Sequence, residues 1–399
     1  MKGSICPILR AGPGTPALLR LRVRAKKQRR DAVRYRRAPF VMSYWRAGQL
    51  IFENFLEQRR ITANPLTSTV LHFFVHWRPL RELFGALKEY TPASLRKAVR
   101  SLSRYSFLQK HGQSPVSGEK ELLAWSEWNP AASFFHLATK DVQFQPDNQE
   151  EFRELLELAK SNPMPRPVKR YLKAKRVLLA PPKADSEFPR VLRARRTWRK
   201  FSKRPIALPV LGNLLGLTWG VQAWVKTPQL GSAAVKTSPS GGALHPVEAY
   251  VLARNVEGLR AGLYHYNATD HRLELLRRGS GSRDITRYLA NQWWYAGAAF
   301  VVFMTAVFSR TRWKYDYARA YRAVLLEAGH LCQTFCLTAT WLNLAPFCTM
   351  AFADSKIEKA LGLDGISECV LYVAGAGMRP ENPDQAHLLS GSQISNINL

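Results

Sequence analysis

The sequence predicts an α+β protein, and three observations carry that expectation. Hydrophobic residues make up 46% of the 399 positions, enough to bury cores in two or three domains. Strand-length apolar stretches come singly and in hairpins between helical stretches, which favours α+β over a doubly wound sheet. A long, mostly apolar helical pattern over 321–342 supplies a central helix. The longest apolar run, 295–308, falls short of the roughly 20 residues a membrane helix needs. It reads as a buried strand with its flanks, and the protein is expected to be cytoplasmic.

The formal net charge is +30 and unevenly spread. Residues 1–41 hold 12 Lys or Arg against the single acid Asp31. They lack the apolar stretch of a secretory signal and are expected to form a disordered basic tail. A nucleic-acid arm or a transit peptide is the other reading of such a run. Residues 42–112 predict a compact module. A strand pair over 43–55 turns at Ala47-Gly48. Leu66, Val70, Leu71, Phe74 and Val75 have helical spacing, as do Leu80, Leu83, Phe84 and Leu87 beyond Pro79. Thr91 caps a third helix that opens on Pro92, and a short strand follows over 105–110. Three helices and then a strand is the order of a winged helix, a module that binds DNA or takes a peptide as an added strand.

Residues 113–190 read as a connector, aromatic over 125–136 and later punctuated by Pro163, Pro165, Pro167, Pro181, Pro182 and Pro189. The main domain is expected over 191–378, with strands at 249–254, 262–266, 272–276, 298–308 and 369–374. Residues 379–399 form a polar tail. Five cysteines, Cys6, Cys332, Cys336, Cys348 and Cys369, are an odd number without a secretory signal, so no disulfide framework is expected. Cys332 and Cys336 share a helix face. A metal site would need two further ligands, so these thiols are expected to pack in the core, with no metal.

Three segments carry candidate chemistry. Arg195, Arg196, Thr197, Arg199 and Lys200 can all donate to an anion, and guanidinium groups hold phosphate in a fork geometry. Read alone, the same residues make a solvated basic face. In the segment 238–246, the paired glycines Gly241 and Gly242 let backbone approach a ligand, and Ser240 adds a hydroxyl. It is neither a Walker loop nor Gly-x-Gly-x-x-Gly, and alone it is equally a tight turn before a strand. In the third segment, Lys314 and Tyr315 can act as a proton-transfer pair. Read alone, they are a polar helix start.

Together these segments resemble the SagB/ThcOx-type dehydrogenases, azoline oxidases of the FMN-dependent nitroreductase superfamily. The resemblance covers about residues 42–378. It is carried by Pro239-Ser240-Gly241-Gly242-Ala243-Leu244-His245-Pro246, by 321–330 with its Glu-Ala-Gly-His, and by Leu361-Gly-Leu-Asp-Gly365. Within the connector, Trp128-Asn-Pro-Ala-Ala and 135–141 are also similar to this group. The resemblance implies a nitroreductase-like FMN-binding fold behind a winged-helix-like module, and a homodimer with FMN at the interface. It implies FMN ligands at Arg195, Arg196, Thr197, Arg199, Pro239, Ser240, Gly241, Gly242, Leu244 and His245. Met350 and Ala351 match the loop whose N–H groups lie over flavin N5, although the usual acidic and glycine residues are absent there. Arg379 matches a late phosphate contact, and Lys314-Tyr315 matches the pair that removes a substrate proton.

The implied reaction is dehydrogenation of peptide azolines to thiazoles or oxazoles, with a precursor peptide and a cyclase as partners. A general NAD(P)H-dependent nitroreductase-like flavoenzyme is the alternative reading. A non-catalytic basic winged-helix binding protein is the third, and nucleic acid is not the expected partner.

Overall fold

Strand pairing begins inside the basic segment. The computed structural model describes residues 32–142, 148–162, 167, 169, 173–175, 177–183, 185–228 and 231–381. Within them the chain divides into two compact units, up to Lys120 and from Glu121 onward. In the first unit, β1 (Arg34–Arg37) lies within the stretch expected to be a tail. The four residues are charged or aromatic and carry no apolar alternation, which hides the strand from the sequence. Of the expected tail, residues 1–31 lie outside the described residues. β2 (Val41–Arg46) and β3 (Gln49–Asn54) turn at Ala47-Gly48, and β4 (Arg59–Thr62) completes a three-stranded antiparallel sheet.

The helices α1 (Pro65–Phe73), α2 (Leu80–Ala86) and α3 (Pro92–Arg104) follow. Between α1 and α2 comes β5 (Arg78–Pro79), and after α3 comes β6 (Leu108–Lys110). β1 joins these two distant strands, with Tyr35 opposite both Arg78 and Lys110. Asn64 and Thr91 cap α1 and α3, each accepting a bond from a backbone N–H three residues on. Val70, Leu71, Phe74, Leu83, Leu95, Val99 and Phe107 form the core of this unit.

In the second unit, the part of the expected connector over 125–138 packs into the fold, whereas most of the described residues over 151–190 are exposed. α4 (Asn129–Ala138) carries His136, whose Nε2 lies 2.9 Å from the Gly365 carbonyl and whose Nδ1 lies 3.0 Å from the Tyr321 hydroxyl. A carbonyl can only accept, so Nε2 carries the hydrogen and Nδ1 accepts from Tyr321. Burial lowers the His136 pKa to about 4. Lys140 pairs with Glu358 at 2.6 Å, and both side chains are largely buried.

The main elements that follow are α5 (Glu187–Ala194), α6 (Leu208–Trp219), a hairpin of β7 (Ala223–Thr227) and β8 (Gly231–Val235), and then β9 (Val247–Ala253), β10 (Gly262–Asn267), β11 (Arg272–Arg278) and β12 (Phe300–Val307). They continue as α7 (Phe308–Lys314), α8 (Ala320–Trp341), β13 (Leu344–Thr349), α9 (Asp354–Leu361) and β14 (Glu368–Met378). The six-stranded sheet runs β11-β10-β9-β12-β14-β13 with antiparallel neighbours throughout. β12 is central and buried on both faces, which explains its unbroken apolar run. One face packs Val301 and Phe303 with Leu263, Tyr288, Phe347 and Val373. On the other, Phe300 meets Phe335 of α8, which also meets Trp219 of α6. Alternation along one strand thus assigns each side chain its layer. The architecture is the α+β one expected. Among the described residues no helix is long and apolar enough to cross a membrane.

His136 makes stability depend on pH. Its folded pKa of about 4 lies below the ordinary value of 6.5, so between those two values the unfolded chain binds the extra proton. Stability is therefore lost on acidification through that window, by about 3 kcal/mol once both values are passed. Chemical denaturation at pH 7 and pH 4 should show this fall in the wild type and a flatter profile in His136→Gln.

Candidate active site

The candidate residues gather into two groups, each held by different elements. The first follows the end of α5. Arg195 and Arg199 are half-buried, and Arg196 and Lys200 are exposed. The strand β13 fixes this stretch: the Trp198 N–H donates to the Pro346 carbonyl at 2.9 Å, and the Phe201 ring lies 5.9 Å from that of Phe347. The Arg195 charge favours the thiolate forms of Cys336 and Cys348, and the Arg199 charge pulls the Tyr295 pKa down against the rise caused by burial. Thr197, between these cations, is half-buried.

Two residues of this group have structural partners of their own. Arg196 folds back, donating from Nη1 to the Arg193 and Arg195 carbonyls at 2.6 and 2.8 Å, and so closes the end of α5. Arg379 spends Nε on the Leu344 carbonyl and Nη2 on the Thr340 carbonyl, each at 3.0 Å, and stacks over Trp198. It pins the C-terminal end of α8 and borders a cleft of about 410 Å³ lined also by Glu187, Arg190, Val191 and Trp341. Residues 348–352, expected as a loop, begin as the last two residues of β13. Met350 is 61% exposed. The Ala351 N–H is taken by Thr349 Oγ1 at 3.0 Å, and its carbonyl accepts from Gln292 at 2.5 Å.

The second group brings together the glycine turn and the Lys-Tyr pair, segments about seventy residues apart. Gly242 has φ of +70°, a conformation that favours glycine. A Cβ at Gly242 would lie 2.8 Å from the Tyr315 hydroxyl and 3.0 Å from Lys314 Nζ, so a side chain there would collide with the pair. Lys314 is exposed at the end of α7 and Tyr315 is half-buried, with the Lys314 ammonium 5.4 Å from the Tyr315 ring centre. The Tyr315 carbonyl accepts from the Trp128 indole at 2.8 Å.

The turn itself is tied to α8. Pro239 gives its carbonyl to His330 Nδ1 at 3.2 Å, and Gly241 lies against Ala323. Ser240 donates to Glu327 and accepts from the His245 N–H at 2.9 Å. Its hydroxyl therefore shapes the turn. His245 Nε2 bonds the Ala234 carbonyl at 3.0 Å, its own carbonyl accepts from Arg310 at 2.8 Å, and Leu244 is half-buried beside it. Arg310 also pairs with Glu248 at 2.5 Å, locking the turn to β9.

Glu327, to which the sequence assigns no role of its own, joins this group. It is buried, and burial raises its pKa while the Ser240 hydroxyl and the neighbouring Lys236 pull it down. Burial likewise lowers the Lys236 pKa. One signal was available: Glu327 is the single acid in the 22-residue α8 and stands on its buried face. A buried carboxylate needs a partner, and the motif around Ser240 offered one.

The Nitroreductase family matches residues 192–377, the span that holds both groups apart from Arg379. A Methanocaldococcus jannaschii protein named as a nitroreductase is 32% identical over 171 residues, which are 43% of this chain and 82% of that protein. The trifolitoxin-processing protein TfxB of Rhizobium leguminosarum bv. trifolii is 29% identical over 170 residues, 42% of this chain and 46% of the relative. The match therefore spans less than half of TfxB. A chain of the Escherichia coli microcin synthetase McbBCD complex, solved with truncated pro-MccB17 bound, aligns at a TM-score of 0.46 and 22% identity, covering 67% of this chain and 98% of that one. The chain belongs to the nitroreductase family, a family of oxidoreductases.

Proposed function

We propose that the chain is an FMN-dependent dehydrogenase that converts azoline rings within a peptide to azoles. The observation that carries this reading is the contact of Lys314 and Tyr315 with the turn at Gly242. It sets a potential base beside a glycine whose positive φ disfavours any other residue. The similarity to TfxB, a protein named for processing trifolitoxin, supports a role in maturing a product.

The donor set fits a flavin mononucleotide. Arg195 and Arg199 offer cationic forks for the phosphate, and Gly241 and Gly242 allow close approach to a flat ring. Thr197 adds a hydroxyl between the two arginines. When bound, FMN would take the hydride released from the azoline carbon. Lys314 or Tyr315 removes the proton from the neighbouring ring carbon, and aromatisation favours the product. Glu327 and Ser240 keep the turn in shape, and Trp128 holds the backbone of Tyr315.

We assign the two groups to one site completed across a homodimer, with the flavin between them, as the resemblance to the azoline oxidases implies. The first unit would hold a precursor peptide or a cyclase partner. Its β2-β3-β4 sheet ends on edge strands that can accept an added strand, and Trp45 on β2 is 73% exposed.

A second reading, an NAD(P)H-dependent nitroreductase, draws on the similarity to the archaeal relative. The test begins with the absorbance spectrum of the purified protein and the mass of its released cofactor. The flavin-bound protein is then offered an azoline peptide and, separately, NAD(P)H without oxygen. Flavin bleaching and azole product with the peptide would support the proposal. Rapid bleaching by NAD(P)H and inertness to the peptide would favour the second reading. A colourless protein that takes up no added FMN would end both.

A further inference from the structure

Three thiols that the sequence keeps apart converge between α8 and β13. Cys332 and Cys336 lie one turn apart on the buried face of α8, and Cys348 stands near the end of β13. Their sulfur atoms all lie within 4.8 Å of one another. Sulfurs bound to one metal at about 2.3 Å stand roughly 4 Å apart, so the three need to close by less than an ångström. Among the described residues the group has no fourth His, Cys, Asp or Glu.

We propose that Cys332, Cys336 and Cys348 form a three-coordinate site for a soft, thiophilic cation, copper(I). Ligand type and number decide the choice. Thiolates select soft ions, and the missing fourth ligand disfavours zinc, whose structural sites are tetrahedral. Two neighbours suit a bound thiolate cluster. The Tyr372 hydroxyl lies 3.5 Å from the Cys348 sulfur and donates to it. The positive charge of Arg195 acts on both Cys336 and Cys348, offsetting the excess negative charge that three thiolates leave around a monovalent ion. Cys348 is only half-buried and provides the way in, whereas Cys332 and Cys336 are buried. Occupancy would fasten the long helix to the edge strand that carries the first group. This inference does not depend on the flavin or on the substrate.

The test uses the full chain, reduced and handled without oxygen, titrated with copper(I) from a chromophoric copper(I) chelator. One equivalent should pass to the protein, and the melting temperature should rise on loading. Cys348→Ser should weaken binding by at least about tenfold. The Cys332→Ser/Cys336→Ser/Cys348→Ser variant, which keeps Cys6 and Cys369, should take up none. X-ray absorption of the loaded wild type provides a measurement free of any folding defect in the variants. Three sulfurs at about 2.2–2.3 Å are expected. Failure of the wild type to draw copper from the chelator, uptake that survives the triple substitution, or a first shell containing nitrogen or oxygen would each overturn the proposal.

Discussion

Replacing Lys314 by Ala and Tyr315 by Phe in the same chain is expected to slow azole formation by about 10²–10⁴-fold, the usual contribution of a positioned acid–base group. Bound flavin should remain. Both side chains reach the site from the end of α7, where Lys314 is exposed and Tyr315 half-buried, so their loss opens no core cavity. The backbone at Tyr315 stays anchored, because the Trp128 bond is to its carbonyl and not to the phenol. The turn also keeps its shape, since its ties run through Ser240 to Glu327 and through His245 to Ala234. Single-turnover assays with an azoline peptide, read beside the flavin absorbance, separate the effects. The single variants show which of the two takes the proton. Azole formation within about tenfold of wild type in the double variant would remove both residues from the chemistry.

The sequence shows this part of the site well because its signals are local. The glycine turn, the Lys-Tyr pair and the helix that carries Glu327 are each continuous stretches, and a long, mostly apolar helical pattern finds α8 while an unbroken apolar run finds β12. What stayed hidden depends on pairing at a distance. Ser240 and Glu327 are 87 positions apart, so neither stretch announces the bond that joins them. Cys348 joins two thiols on a different element. β13 is not among the expected strands; Pro346 in its middle removes an N–H, which costs little because β13 is the edge of the sheet. Arg379 looked like a phosphate contact because it is a late cation after a glycine pair. The fold spends it on the carbonyls at the end of α8, a demand that only the helix geometry reveals. β1 was lost because its cations dominate composition, while its partners lie 43 and about 75 positions away.

The homodimer can be tested through the same residues. Replacing Arg195 and Arg199 by Ala removes two charge-assisted contacts to phosphate, about 3–6 kcal/mol together, so FMN affinity should fall on the order of 10²–10⁴-fold. Added FMN should restore little activity to this chain, and the Lys314→Ala/Tyr315→Phe chain should be inactive with its flavin bound. If the two groups meet across a subunit boundary, a dimer with one chain of each kind has one site with both lesions and one with neither. Heterodimers purified through two different tags should therefore recover about half of the wild-type rate, from two chains that are each inactive alone. If both groups instead served a flavin within one chain, every site in the heterodimer would carry a lesion and no activity would return. The first group is fixed through the Trp198 N–H bond to β13 and the second through the Pro239 carbonyl bond to His330 of α8, and none of the four substituted side chains makes either bond.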